Sequence, residues 1–354
     1  MEKELKMKTK YLIIGQGLAG TALVHTFDRN NIDFIIIDNG NDITSSKVAP
    51  GSYNPVVFKR HTLTWKVNEI FPALNEFYTN VGNLLNENII NNKNIIVRIK
   101  EKDKVEFWKK KAKTNELKKY MSLKLMSNFN DSRLIEGLGY GKINYSGILD
   151  VNTYLEKSKI YFLDNSKYIQ SEFVFDDLVL ETDSIQYRDI EAEHIIFCEG
   201  YRTAFNPYFF WLQFKLTKGE ILTVRIKDFT QDYIIKSGIG IVPQGDDIYK
   251  ISATYNWHDI TERTTRGGRK YLIEKLNNYL NCDYEIINHQ AGIRPTVKDR
   301  RPLLGTHPVY KNLHVFNGLG TKGVALSPYF SEHLFNYIEN GKELDSEVDI
   351  KRFK

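Results

Sequence analysis

Lys10-Tyr-Leu-Ile-Ile-Gly-Gln-Gly-Leu-Ala-Gly20 decides the fold of this chain. Its apolar half, Lys10 to Ile14, reads as a buried parallel strand. Thr21 to Phe27, just beyond the glycines, reads as a helix. In a strand-turn-helix unit Gly15 allows the tight turn, and Gly17 lets backbone approach a pyrophosphate. Gly20 lets the helix pack closely on the strand. Phosphates then meet the unpaired N-H groups at the helix start, around Leu18 and Ala19.

A lone glycine fingerprint is weak, and its surroundings give it weight. A second apolar run, Phe34 to Ile37, ends in Asp38, about where the ribose-binding acid of a dinucleotide fold stands. An acid there favours a free ribose hydroxyl, which fits FAD or NAD and disfavours NADP. A second glycine turn, Gly318-Leu-Gly-Thr-Lys-Gly323, follows the strand-like His314-Val-Phe316 and precedes the helical pattern of Val324 to Ile338. Two such turns at opposite ends of the chain suggest one long cofactor.

With 354 residues, 42% of them hydrophobic, the chain can bury a large core and is expected to form two domains. The charged start, Met1 to Lys10, lacks the apolar stretch of a signal peptide, and no run reaches membrane-span length. A cytoplasmic location is expected. Cys198 and Cys282 form no CxxC pair, and the histidines, including His61, His258 and His289, lack metal-ligand spacing, so no metal site is indicated. The net charge of +5 is too small to imply nucleic acid by itself. Residues 107 to 119 read as a basic helix, more readily a solvated face than a phosphate-binding one.

Val67, Ile70, Phe71, Leu74, Phe77 and Tyr78 recur at helical spacing. Phe173, Phe175, Leu178 and Leu180 alternate as in strands. Residues 206 to 293 are strand-rich, notably Gly219 to Arg225, Ile239 to Pro243 and Tyr249 to Thr254, with a helix expected over Leu272 to Leu280. The domains are therefore interleaved. Residues 8–93, 141–205 and 294–354 are assigned to cofactor binding, and 94–140 and 206–293 to a substrate domain.

In these segments the chain resembles the FAD-dependent D-amino-acid oxidase superfamily, on its glycine oxidase and sarcosine oxidase branch. The likeness runs through the N-terminal fingerprint, Thr44-Ser-Ser-Lys-Val-Ala-Pro-Gly51, Lys218-Gly-Glu220, Val242-Pro243, Ser252-Ala-Thr-Tyr255, Ala291-Gly-Ile-Arg-Pro295 and the C-terminal glycine turn. It implies an α/β fold, α+β overall: a Rossmann-like FAD-binding domain of glutathione-reductase type, interleaved with an antiparallel-sheet substrate domain. Non-covalent FAD is the implied cofactor, contacted by Gly15, Gly17, Leu18, Ala19, Gly20, Asp38, Ser45, Ser46, Gly200, Gly318, Gly320, Thr321, Lys322, Gly323 and Val324. Arg294 matches the family arginine that holds a substrate carboxylate, a task suited to a planar guanidinium. Lys322 is a second carboxylate or flavin contact, and Tyr255 a pocket wall, with Trp257 beside it. Gly240 stands where glycine oxidase carries an aromatic residue, leaving room for a bulkier substrate.

The implied reaction is oxidation of a carbon-nitrogen bond in a small amino acid or secondary amine by hydride transfer to flavin. Ala49-Pro-Gly-Ser-Tyr-Asn-Pro55 resembles the oxidase half of the enzyme that remodels carboxymethylaminomethyl-uridine in tRNA. A stand-alone tRNA-modifying oxidase is thus the second reading, and a non-catalytic flavin-binding partner the third. The sequence leaves the oligomeric state open.

Overall fold

The computed structural model describes residues 7–127, 131–229 and 232–353. Residues 1–6, most of the charged start, lie outside these. So do residues 128–130, 230 and 231 of the expected substrate domain, and Lys354.

The fingerprint folds as expected: β1 (Met7–Ile14) leads through the glycines to α1 (Leu18–Arg29) and then β2 (Phe34–Asp38). β1 is flanked in parallel by β2 and by the strand Ile190–Phe197. The strands Tyr168–Gln170 and Leu313–Asn317 extend this parallel core at either side. An antiparallel pair, Leu178–Leu180 and Ile185–Tyr187, adds to the strand Ile190–Phe197 and completes an eight-stranded sheet with Leu303–Thr306. α1, the helix Val67–Leu85 and the C-terminal helix Gly323–Asn340 share one large apolar cluster with that sheet. β1 and β2 are buried on both faces, so they read as continuous apolar runs rather than alternating ones.

The second sheet has seven strands, in the order Glu285–Arg294, Thr217–Arg225, Ile248–Ser252, Ile239–Gly245, Ile234–Ser237, Ile95–Ile99 and Gly139–Ile143. All neighbours are antiparallel except Ile234–Ser237 with Ile95–Ile99. Leu222, Val224, Ile235, Ile241 and Ile251 bury one face against Leu272 and Leu276 of the helix Arg266–Asn277. The other face turns toward the first domain: Lys250 bonds carbonyls there, and a side chain at Gly292 would meet Ser45.

Several local expectations shift. The strand Gly139–Ile143 belongs wholly to the second sheet, three residues beyond 140. The helix expected over Leu272 to Leu280 begins at Arg266 and ends at Asn277. Thr265 caps it, accepting from Gly268 N-H, and Glu220 in turn accepts from the Thr265 N-H and hydroxyl. Gly267 and Gly268 lower helix propensity, but a Cβ at Gly268 would lie 2.4 Å from the Glu220 carboxylate. The basic helix spans Lys102–Ala112, so residues 113 to 119 are not its continuation. Phe173 and Phe175 lie outside strands; Phe173 instead stacks on Tyr187 at 4.6 Å, filling the second apolar cluster.

Candidate active site

The glycine turn after β1 is held by backbone contacts that only glycine permits. Gly15 has φ +99°, and a Cβ there would lie 2.7 Å from the Cys198 carbonyl; at Gly20 it would lie 1.9 Å from the Gly15 carbonyl. Gly17 differs. A Cβ there would meet only the Ser46 hydroxyl, at 3.2 Å, a side-chain atom rather than backbone. Ser46 also accepts from Leu18 N-H at 3.2 Å, bringing Ser46 and the start of α1 together. Asp38 closes this end: its carboxylate accepts from Gln16 N-H and Gly40 N-H, both at 2.8 Å.

The C-terminal turn lies beside the first, because a Cβ at Gly323 would meet Leu18 Cδ1 at 2.9 Å. Two helix N-termini, each with unpaired N-H groups and a positive dipole end, therefore converge. Gly318 (φ +73°) is packed against Leu303 and Val297, while Gly320 (φ +55°) has only Thr296 near it, at 3.7 Å. The Thr296 hydroxyl is buried without a partner among the described residues. Asn317 couples this turn to Gly200, donating to the Gly200 carbonyl at 2.8 Å and accepting from Gly318 N-H. Gly200 (φ +59°) has nothing within 4 Å of a built Cβ. Ala19 and Val324 pack in the core beside the turns, and Thr321 is exposed.

Open space beside Gly200, sparse side-chain neighbours at Gly17 and Gly320, two helix N-termini, a ribose-positioned acid and an orphaned hydroxyl suit a long, anionic dinucleotide. These residues could hold FAD. Glu199, whose Cα packs against Gly15, is pushed up to about 7 by burial although it accepts from Asn206.

Arg294 ends its strand with the guanidinium folded across Gly219 of the neighbouring strand, where a Cβ would lie 1.9 Å from Nη2. Tyr255 stacks on it, 4.5 Å from ring centre to Cζ. It donates only to carbonyls, those of Lys218 at 3.2 Å and Thr254 at 3.4 Å. Among the described residues no acid pairs with it, and burial pulls its pKa down. Tyr255 and Trp257 are 57% and 52% exposed, so they form a rim rather than core. Lys322 caps the C-terminal helix, donates to the Thr64 hydroxyl at 3.0 Å, and is held down to about 8 by burial, then by Arg301 and Arg300.

Two lysines on the domain-facing side of the second sheet were not evident from sequence. Lys250 donates to the carbonyls of Lys47 (3.1 Å) and Ala49 (2.9 Å), and burial lowers it to about 8. Lys236 lies beside Gly240 and Phe58. The available signal was a lysine within a short apolar strand, Ile234-Ile-Lys and Tyr249-Lys-Ile. Among the described residues no helix is long and apolar enough to cross a membrane, and no group of three His, Cys, Asp or Glu could hold a metal.

Paired domains of this topology, with dinucleotide turns facing a sheet that presents an arginine, define a flavin-dependent oxidoreductase fold. Residues 171–336 match the family model DAO, FAD dependent oxidoreductase. A glycine oxidase of Geobacillus kaustophilus is 30% identical over 115 residues, a stretch covering 31% of this chain and 30% of that protein. The structure superposes on glycine oxidase from Bacillus cereus with a TM-score of 0.77 at 17% identity, covering 95% of this chain and 96% of that one. For iminodiacetate oxidase from Chelativorans the TM-score is 0.78 at 17% identity, with 98% of each chain covered. The fold over nearly the whole chain is thus shared with these oxidases, and residues 171–336 carry the sequence match to the DAO model.

Proposed function

We propose that this protein oxidises the carbon-nitrogen bond of a carboxylate-bearing amino acid or secondary amine, with Arg294 holding the carboxylate. The observation that carries the reading is a largely enclosed guanidinium, stacked under Tyr255 and held over Gly219, with only carbonyls as partners. A buried cation without an acid is costly, and a substrate carboxylate offsets that cost by bidentate pairing. Glycine oxidase and iminodiacetate oxidase, both similar to this chain, are named for substrates of this kind.

FAD, when bound, supplies the two-electron acceptor that takes the α-hydrogen as hydride. The residues proposed to hold it are Gly15, Gly17, Leu18, Ala19, Gly20, Asp38, Ser45, Ser46 and Gly200, with Gly318, Gly320, Thr321, Lys322, Gly323 and Val324 at the other end. Arg294 fixes the substrate by its carboxylate, and Tyr255 limits access of water from the rim. The nitrogen lone pair forms the new C=N bond as the hydride leaves, and water then splits the imine to a carbonyl compound and an amine. Orientation supplies much of the acceleration, so no side-chain base is invoked. Arg294→Met should retain FAD and raise KM for a carboxylate-bearing amine about 100-fold, roughly 3 kcal/mol for losing a charge-assisted pair. An unchanged KM would sink the assignment.

The tRNA reading has one structural observation in its favour. His61 rests against Phe107 and Trp108 of the basic helix, close enough to Lys111 and Lys104 to feel their charge. It shares the Val56–Leu63 hairpin with Phe58, which faces Lys236. Anaerobic bleaching by tRNA carrying carboxymethylaminomethyl-uridine, but by no free amine, would favour it; bleaching by neither would favour the non-catalytic reading.

A further inference from the structure

Arg294 is not alone on the domain-facing side of the seven-stranded sheet. Lys236 lies opposite Gly240, which lies opposite Ser252 on the next strand. A Cβ built on Gly240 would lie 3.5 Å from the Lys236 ammonium and 2.9 Å from the Ser252 hydroxyl. The ammonium is thus folded inward across the sheet, over the space that glycine leaves at 240. The Phe58 ring, 5.4 Å away, stands on its other side. Lys250 on the same face bonds two carbonyls and Lys322 bonds Thr64. Lys236 has no acid partner among the described residues. Burial lowers its pKa, and Arg294 lowers it further. Two neighbouring cations left without acids destabilise one another, and an anion spanning them would relieve both.

The geometry suits such an anion. The Lys236 ammonium sits over the strand Ile239–Gly245 and the Arg294 guanidinium over Thr217–Arg225, two strands away in the sheet order. The register sets Gly240 level with Ile221, two residues along from Gly219, so two strand spacings across and two residues along separate the positions by roughly 12 Å. Two carboxyl carbons joined through one amine nitrogen lie about 5 Å apart by ordinary bond lengths. That leaves about 3.5 Å from each carboxyl carbon to its cation, the distance of an ion-pair contact.

We propose that Lys236 is a second anion-binding residue of the substrate pocket, and that the substrate is an amine carrying two carboxylates, one on Arg294 and the other on Lys236. This rests on the oxidase reading above. Calorimetric titration of the FAD-loaded protein with glutarate and butyrate tests the site without turnover, and anaerobic bleaching with iminodiacetate and sarcosine tests the substrate class. Glutarate should bind at least about 10-fold tighter than butyrate. Lys236→Met should erase that preference while leaving butyrate affinity within about twofold, and Lys236→Arg should keep it. Flavin content checks that the variants fold, and Lys236→Gln serves as the second neutral variant. Equal affinities in the unaltered protein, or a diacid preference that survives loss of the ammonium, would overturn the proposal. Bleaching by sarcosine without a diacid preference overturns the role of Lys236 alone. A diacid preference with bleaching by sarcosine but not by iminodiacetate overturns the substrate assignment alone, and bleaching by neither amine overturns the oxidase reading with it.

Discussion

Gly219 shows how one missing methyl group places a functional side chain. The Arg294 guanidinium occupies the position a Cβ would take, so Gly219→Ala should displace it while leaving the glycine turns intact. The expected result is normal flavin content with carboxylate affinity reduced by at least about 10-fold, read by titration. Buried ionisable groups make a second prediction, for the cofactor-free protein. Glu199 keeps its proton to about 7, whereas an unfolded glutamate loses it near 4.3, so stability falls as pH rises across that interval. Lys250 and Lys322 shed theirs near 8, whereas unfolded lysines hold them to about 10.4, so stability rises with pH above 8. His25 and His314, held down to about 3 by burial, work against the Glu199 contribution below about pH 6.5, so each contribution is read by difference. The gain in urea midpoint of Glu199→Gln over the unaltered protein should grow from about pH 4.3 to 7, and Lys322→Met should remove part of the rise above about pH 8.

Among the elements, the two glycines flanking Leu18 and Ala19 divide the work of the first turn. Gly20→Ala would force a Cβ to within 1.9 Å of the Gly15 carbonyl, and should cost about 3 kcal/mol or more of fold stability in urea melts. Gly17→Val meets little protein and should leave a folded but colourless protein; a normal flavin spectrum would refute the phosphate site. This turn, β1, α1 and β2 were legible because local geometry, apolar runs and glycine spacing all specify the same unit. The start of the helix Arg266–Asn277 was not, since it depends on Glu220, 45 positions before Thr265. Lys236 and Lys250 escaped notice for a related reason: a lysine in an apolar strand gains meaning only once strand order shows which face it shares. Tyr255 illustrates the converse, a residue expected at the pocket whose exposure on the rim comes from its stacking on Arg294.

At the scale of the whole molecule, the interleaved arrangement was readable because cofactor-type patterns recur at both ends around a strand-rich middle. The exact crossing points were less so, as the strand Gly139–Ile143 shows by pairing with Ile95–Ile99. The packing of Gly323 against Leu18, with α1 lying along the C-terminal helix, has a bearing on how the protein is made. A ribosome delivers Leu18 some three hundred residues before Gly323. Until that last stretch emerges, the first glycine turn lacks the neighbour that completes the cofactor site, so a nascent chain arrested near residue 310 should capture no FAD while the released chain does. Cofactor loading would then wait until Gly323 and the helix that follows it emerge, and a ribosome-bound arrest series followed by flavin fluorescence would time it.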